Sequence, residues 1–156
     1  MKSKTKALVS SISIPLLAGA VSAYISRDGM KMFKTLVKPP LSPPAALFPI
    51  VWTLLYTLMG IAAYRILTAN ADADKTDRAL TLYAVQLGVN FFWSIFFFKF
   101  GMYLFAFFWL ILLWALILLT IRAFKGIDRK AAYMLIPYIV WVTFAAYLNF
   151  GIYRLN

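Results

Sequence analysis

Two amides and a hydroxyl repeat along one short apolar stretch, where polar side chains are costly. Gln86, Asn90 and Ser94 stand at i, i+4 and i+8, so they share a helical face, and Trp93 lies beside Asn90 and Ser94 on it. Pro137, Trp141, Ala145 and Asn149 repeat at the same spacing, and Trp52 precedes Tyr56 by four residues. Each of these three segments sets an aromatic side chain beside polar or small residues along one stripe. Two chemistries fit. One is hydrogen bonding between helices, worth about 0.6 to 2 kcal/mol per contact. The other is a ligand pocket with aromatic walls and a few orienting amides. Spacing alone leaves both open.

The residue types that are missing narrow the chemistry. The chain has no His, no Cys and no Glu, and its side-chain carboxylates are Asp28, Asp72, Asp74, Asp77 and Asp128. Zinc sites draw on His, Cys and carboxylates, so no metal site is expected. A cysteine nucleophile, a disulfide, a histidine base and a histidine-ligated haem are excluded. No carboxylate pair lies in an apolar segment, so ordinary acid–base catalysis lacks its usual groups. No cofactor is obligatory, and reactivity would have to come from a bound ligand.

These stripes need elements to hold them. Of 156 residues, 63% are hydrophobic and 13% charged, against about 25% charged in an ordinary soluble domain. Mean hydropathy is +0.81. Five segments approach or exceed the ~20 apolar residues that cross a bilayer: 7–25, 46–67, 79–98, 102–124 and 131–153. Backbone groups in hydrocarbon must be satisfied within the segment, which predicts helices. The runs FFWSIFFF and FFWLILLW lack the alternation of membrane-barrel strands. The expected fold is all-α, a single integral membrane domain built as a bundle of five transmembrane helices. Lys2, Lys4 and Lys6 before the first segment resemble a signal peptide, but its apolar run is long for one, so an uncleaved helix is expected. Ser11, Pro15, Gly19 and Ala23 form a small-residue stripe suited to internal packing. Ala84 and Gly88 form a second small pair, on a face turned from Asn90, for packing or a dimer seam. The fourth segment reads as lipid-facing or structural.

The net charge of +11 sits between the apolar blocks, with no basic helix or aromatic-basic platform. The lipid bilayer is therefore an expected partner and nucleic acid is not. One side collects Lys2, Lys4, Lys6, Arg65, Lys75, Arg78, Arg122, Lys125, Arg129 and Lys130; the other collects Arg27, Lys31, Lys34, Lys38, Lys99 and Arg154. That bias predicts a cytoplasmic N-terminus and an external C-terminus. The run NADADKTDR, residues 70–78, reads as a solvated linker. Residues 26–45 contain KPPLSPP, whose prolines predict a stiff, extended loop. It is either a rigid connector or a lid.

The segments KPPLSPPAALFPIVWTLLY, QLGVNFFWS and PYIVWVTFAAYLN, in this order and spacing, resemble the tryptophan-rich sensory protein / translocator protein family. It is also called the peripheral-type benzodiazepine receptor family. The resemblance covers about Pro15 to Arg154. It implies a five-helix bundle, commonly a homodimer, with a ligand cavity under the proline-rich lid at 26–45, and the expected location is a bacterial cell membrane. It implies binding of porphyrins such as protoporphyrin IX and haem, and of benzodiazepine-site ligands. Sterol binding belongs mainly to animal relatives, and light-dependent porphyrin breakdown to some bacterial ones. Carried over by motif, the ligand-binding residues are Trp52, Tyr56, Gln86, Asn90, Trp93, Trp141, Ala145 and Leu148. The chain departs from the family at Met32 and Phe33, where Trp-Tyr is frequent, and at Leu41, where Trp is frequent. Near the C-terminus, Phe150 stands between Leu148 and Arg154 where a sterol-recognition pattern asks for Tyr, so sterol is not expected.

Three functions follow. The first is a membrane receptor or carrier for planar hydrophobic ligands of the porphyrin type. Trp52, Trp93 and Trp141 would wall its slot, Asn90 and Gln86 would hydrogen-bond the ligand, and Lys34 or Lys38 would meet propionates. The second is enzyme-like light-dependent porphyrin degradation, with Trp52 and Trp141 as candidates for photo-oxidation. The third is a structural or regulatory membrane protein whose cavity is incidental.

Overall fold

The computed structural model describes residues 1–156. Helix α1 runs Lys2–Ile25, α2 Arg27–Phe33, α3 Leu47–Leu67, α4 Ala73–Ser94, α5 Tyr103–Lys125, α6 Arg129–Met134 and α7 Ile136–Leu155, and there is no strand. Five stretches are long and apolar enough to cross a membrane: α1, α3, α4 with its continuation to Lys99, α5, and α6 together with α7.

Helices α1 and α4 and the α6–α7 span outrun their apolar segments, because charged ends stay soluble outside a bilayer, while α3 and α5 match theirs to within one residue. The run 70–78 is a linker only in its first residues. The Asp72 carboxylate caps α4, accepting from the Lys75 amide at 3.1 Å, and Ala73–Arg78 form the helix's opening turns. An aspartate there satisfies an orphan amide and meets the positive end of the helix. Asp128 caps α6 in the same way, accepting from the Lys130 and Ala131 amides at 2.9 and 3.4 Å. The fifth span is broken at Leu135, since Pro137 cannot donate to the preceding turn and suits the start of a new helix. Helix α4 ends in a π turn, Ile95–Lys99, closed by the Phe100 amide on the Ile95 carbonyl at 3.1 Å.

Around the bundle, α1 packs on α3, α3 on α6, the α6–α7 span on α5, α5 on α4, and α4 back on α1. Gly60 of α3 faces the α1 backbone at Ser11 and Ile12, so the small stripe of α1 packs internally. Helix α5 is both structural and outward-facing. Leu110, Leu113 and Ile117 are fully buried, while Phe105, Phe108 and Leu112 are exposed. Gly88 of α4 has open space in front of it. An ion pair of 2.7 Å between Arg65 and Asp128 ties the end of α3 to the start of α6.

Residues 26–45 are not extended throughout. The prolines begin only at Pro39, and ahead of them Asp28 in the first turn and Lys31 in the last suit the short helix α2. Gly29 lets α2 lie against the π turn, where a Cβ would collide with the Phe98 carbonyl. The rest of the loop docks on the C-terminal half of α7. Pro39 packs on Gly151, where an added Cβ would come within 2.6 Å of the ring. The Tyr147 hydroxyl donates to the Pro40 carbonyl at 2.8 Å. The Asn156 side chain accepts from the Val37 amide at 3.1 Å and donates to its carbonyl at 2.8 Å. Leu41 turns the chain between the proline pairs at a φ of 68°, a conformation that costs a non-glycine residue about 1 kcal/mol or more.

Candidate functional site

One turn of α3 separates Trp52 from Tyr56, and their rings stack with centroids 5.4 Å apart. Trp52 also meets Trp93 of α4 at 6.4 Å and Tyr138 of α7 at 6.3 Å. Above this cluster lies a cavity of about 240 Å³ between α1, α2, α3 and α4. Phe33, Phe48, Trp52, Tyr56, Trp93 and Phe98 form its aromatic wall. Asn90 and Ser94 supply polar groups from α4, Gly19 and Ser22 come from α1, and Lys34 follows α2.

Most polar side chains of the wall are already engaged, Tyr56, Asn90, Trp93 and Ser22 among them. The Tyr56 hydroxyl donates to Asn90 Oδ1 at 2.8 Å. Asn90 Nδ2 donates to the Tyr138 hydroxyl at 2.7 Å, and that hydroxyl donates to Gln86 Oε1 at 2.7 Å. This chain crosses α3, α4 and α7. A second link runs from Trp93 Nε1 to Asn149 Oδ1 at 3.1 Å, and from Asn149 Nδ2 to the Tyr103 carbonyl at 2.8 Å. Hydrogen bonding between helices and an aromatic pocket therefore coexist on one face of α4.

Of the residues expected from the sequence, Trp52, Tyr56, Asn90 and Trp93 line the cavity. Gln86 is 1% exposed and sits behind the wall, bonded to Tyr138. Trp141 also lies behind it, packed edge-on against Phe48 at 5.8 Å, with its indole N–H buried and unpartnered. Ala145 and Leu148 are buried on α7 and do not line the cavity. The slot of three tryptophans is thus two in the lining and one in support. Lys34 reaches the cavity, whereas the Lys38 ammonium lies 4.8 Å from the centre of the Phe33 ring.

Sequence reasoning missed the phenylalanines of the wall, which nothing in their spacing marks. It missed Ser22, whose hydroxyl donates to the Phe91 carbonyl at 2.7 Å. It also missed Tyr138, the hub of the polar chain. A signal for Tyr138 existed: Tyr138, Val142, Ala145, Asn149 and Ile152 alternate by four and three, and all are buried. A strict spacing of four drifts around a helix of 3.6 residues per turn, which is why Pro137 ends up exposed while Asn149 is buried.

Residues 11–154 match the model of the TspO/MBR family. The chain is 39% identical to the tryptophan-rich protein TspO of Chlorobaculum tepidum over 137 residues, covering 88% of this chain and 87% of that one. It is 37% identical to the protein of the same name from Archaeoglobus fulgidus over 150 residues, 96% of each chain. It is 34% identical to the translocator protein of Ovis aries over 134 residues, 85% of this chain and 79% of the sheep protein.

Proposed function

The chain belongs to the TspO/MBR family of integral membrane proteins, and from that premise we propose that it is a receptor or carrier for planar hydrophobic ligands, porphyrins such as protoporphyrin IX and haem foremost. Ligands of the benzodiazepine-site type fit the same reading. The observation that carries it is the aromatic wall around Trp52, Tyr56 and Trp93. Aromatic pairs contribute about 0.5 to 1.5 kcal/mol each beyond the area they bury. Lys34 gives the cavity a cation for a propionate. At about 240 Å³ the cavity falls below the roughly 300 to 1,000 Å³ usual for ligand sites, so a macrocycle needs α2 and the loop to move outward.

The test is titration of protoporphyrin IX into the protein in detergent, followed by quenching of tryptophan fluorescence. The expected result is saturable binding that weakens in Trp52→Ala. In Lys34→Gln, affinity for the free acid falls about threefold while affinity for the dimethyl ester is unchanged, since an exposed ion pair contributes under about 1 kcal/mol. Absence of saturable binding would leave a structural or regulatory role.

Light-dependent porphyrin breakdown is the second reading, favoured by the position of Trp52 in the cavity wall. An excited porphyrin passes energy to dissolved oxygen, and the indoles of Trp52 and Trp93 in the wall are oxidisable groups beside it. Trp141, behind Phe48, is a weaker candidate. Spectral loss of the ligand that needs light and is slowed in Trp52→Phe supports this reading over simple binding.

A further inference from the structure

We propose that the corner where α5 meets α6 binds the headgroup of an anionic phospholipid, with its acyl chains lying along α5 and α7. Arg122, Lys125, Arg129 and Lys130 fall within nine residues and all four are exposed. On the same end of the bundle, Lys75 and Arg78 are interleaved with Asp72, Asp74 and Asp77. The α5–α6 corner has no such balance. Its one carboxylate, Asp128, is taken by Arg65 at 2.7 Å and by the amides of Lys130 and Ala131. No ion pair reaches the four cations, since the two in the protein are Lys31–Asp28 and Arg65–Asp128.

Helix electrostatics explain only half of the cluster. Arg122 and Lys125 sit in the last turn of α5, where the helix dipole favours a cation. Arg129 and Lys130 open α6, where it disfavours one. An external anion would offset that. One to two turns along from the cations lie exposed apolar side chains: Leu119 at 46%, Tyr133 at 56% and Ile136 at 42% exposure. A soluble phosphate makes no use of such a skirt, whereas a lipid covers it with its chains. Basic clusters at the ends of spans attract anionic headgroups in this way.

The test is native mass spectrometry of the detergent-purified protein titrated with phosphatidylglycerol or phosphatidylcholine of identical chains. The expected result is a first phosphatidylglycerol bound at least about tenfold more tightly than phosphatidylcholine, a preference that shrinks with salt. Neutralising the cations should erode it, by at most about fivefold each. The variant R122Q/K125Q/R129Q/K130Q should lose it, while K2Q/K4Q/K6Q keeps it. The paired variants R122Q/K125Q and R129Q/K130Q should each show a reduced preference, and they decide the matter if the quadruple variant does not fold. Equal binding of the two lipids by the unaltered protein would overturn the proposal. So would a preference undiminished in the paired variants, or displacement of phosphatidylglycerol by equimolar inorganic phosphate.

Discussion

Asn90 holds two phenols at once, accepting from Tyr56 and donating to Tyr138. Read along the sequence, its amide looks free for a ligand. In the fold it is committed, because its second partner comes from a helix 48 residues further on. Replacing it by Leu leaves both hydroxyls short of a partner in a buried site. We expect Asn90→Leu to lower stability by about 1 to 3 kcal/mol, alongside any loss of porphyrin affinity. Thermal unfolding and titration of the same sample separate the two effects, and an unchanged melting temperature would contradict the hydrogen-bonded chain described above. Of the aromatic wall, Trp52, Tyr56 and Trp93 were legible in the sequence from hydropathy and helical spacing, whereas Phe33, Phe48 and Phe98 were not. Nor was the polar half of the site, because which amide meets which phenol depends on how distant spans pack.

At the scale of elements, the loop over the cavity is fastened at two points: α2 rests on the π turn and Pro39–Pro40 on α7. Removing one fastening should speed ligand release without loosening the bundle. Tyr147→Phe deletes the hydroxyl that reaches Pro40, and a hydrogen bond contributes about 0.5 to 1.5 kcal/mol. We expect the dissociation rate of a porphyrin to rise severalfold by stopped-flow, with the melting temperature nearly unchanged. An unchanged rate would make the loop a connector. The junction of α3 with α6 gives a pH test. Partial burial pushes the Asp128 carboxyl up, but the Arg65 guanidinium and the Ala131 and Lys130 amides together hold it below the usual carboxylate value. A carboxyl held low in the fold contributes stability above its unfolded pKa, about 3.9, and loses it as pH falls through the folded value. The stability gap between the protein and Asp128→Asn should thus be steady near neutral pH, at about 1 kcal/mol, and close below about pH 4. A gap that persists in acid would show that the cap geometry, not the charge, is what matters. Five spans were legible because apolar length alone announces them. Helix α2 was hidden by being only seven residues long and beside a proline-rich run.

At the scale of the molecule, hydropathy counts spans but says nothing of their order around the bundle. Charge adds an orientation. The charge bias predicts a cytoplasmic N-terminus, so a cysteine placed at Ala73 should be shielded from an impermeant thiol reagent in intact cells and one at Thr35 should react; the reverse pattern would invert the orientation. We propose that, in a homodimer, the open space before Gly88, with Ala84 one turn away, would form the seam. Gly88→Leu should shift the protein toward monomer in crosslinking while porphyrin titration stays the same; crosslinking that persists would move the seam elsewhere. The ring order described earlier also bears on biogenesis. The span made last, α6–α7, does not join at an edge but closes the ring between α3 and α5. Until it leaves the ribosome, Gln86 and Asn90 lack the Tyr138 hydroxyl that serves them both, and Trp93 lacks Asn149. With only the first four spans in place, Gln86 and the Asn90 amide nitrogen therefore lie in the lipid short of a partner, and docking of α7 is the step that conceals them.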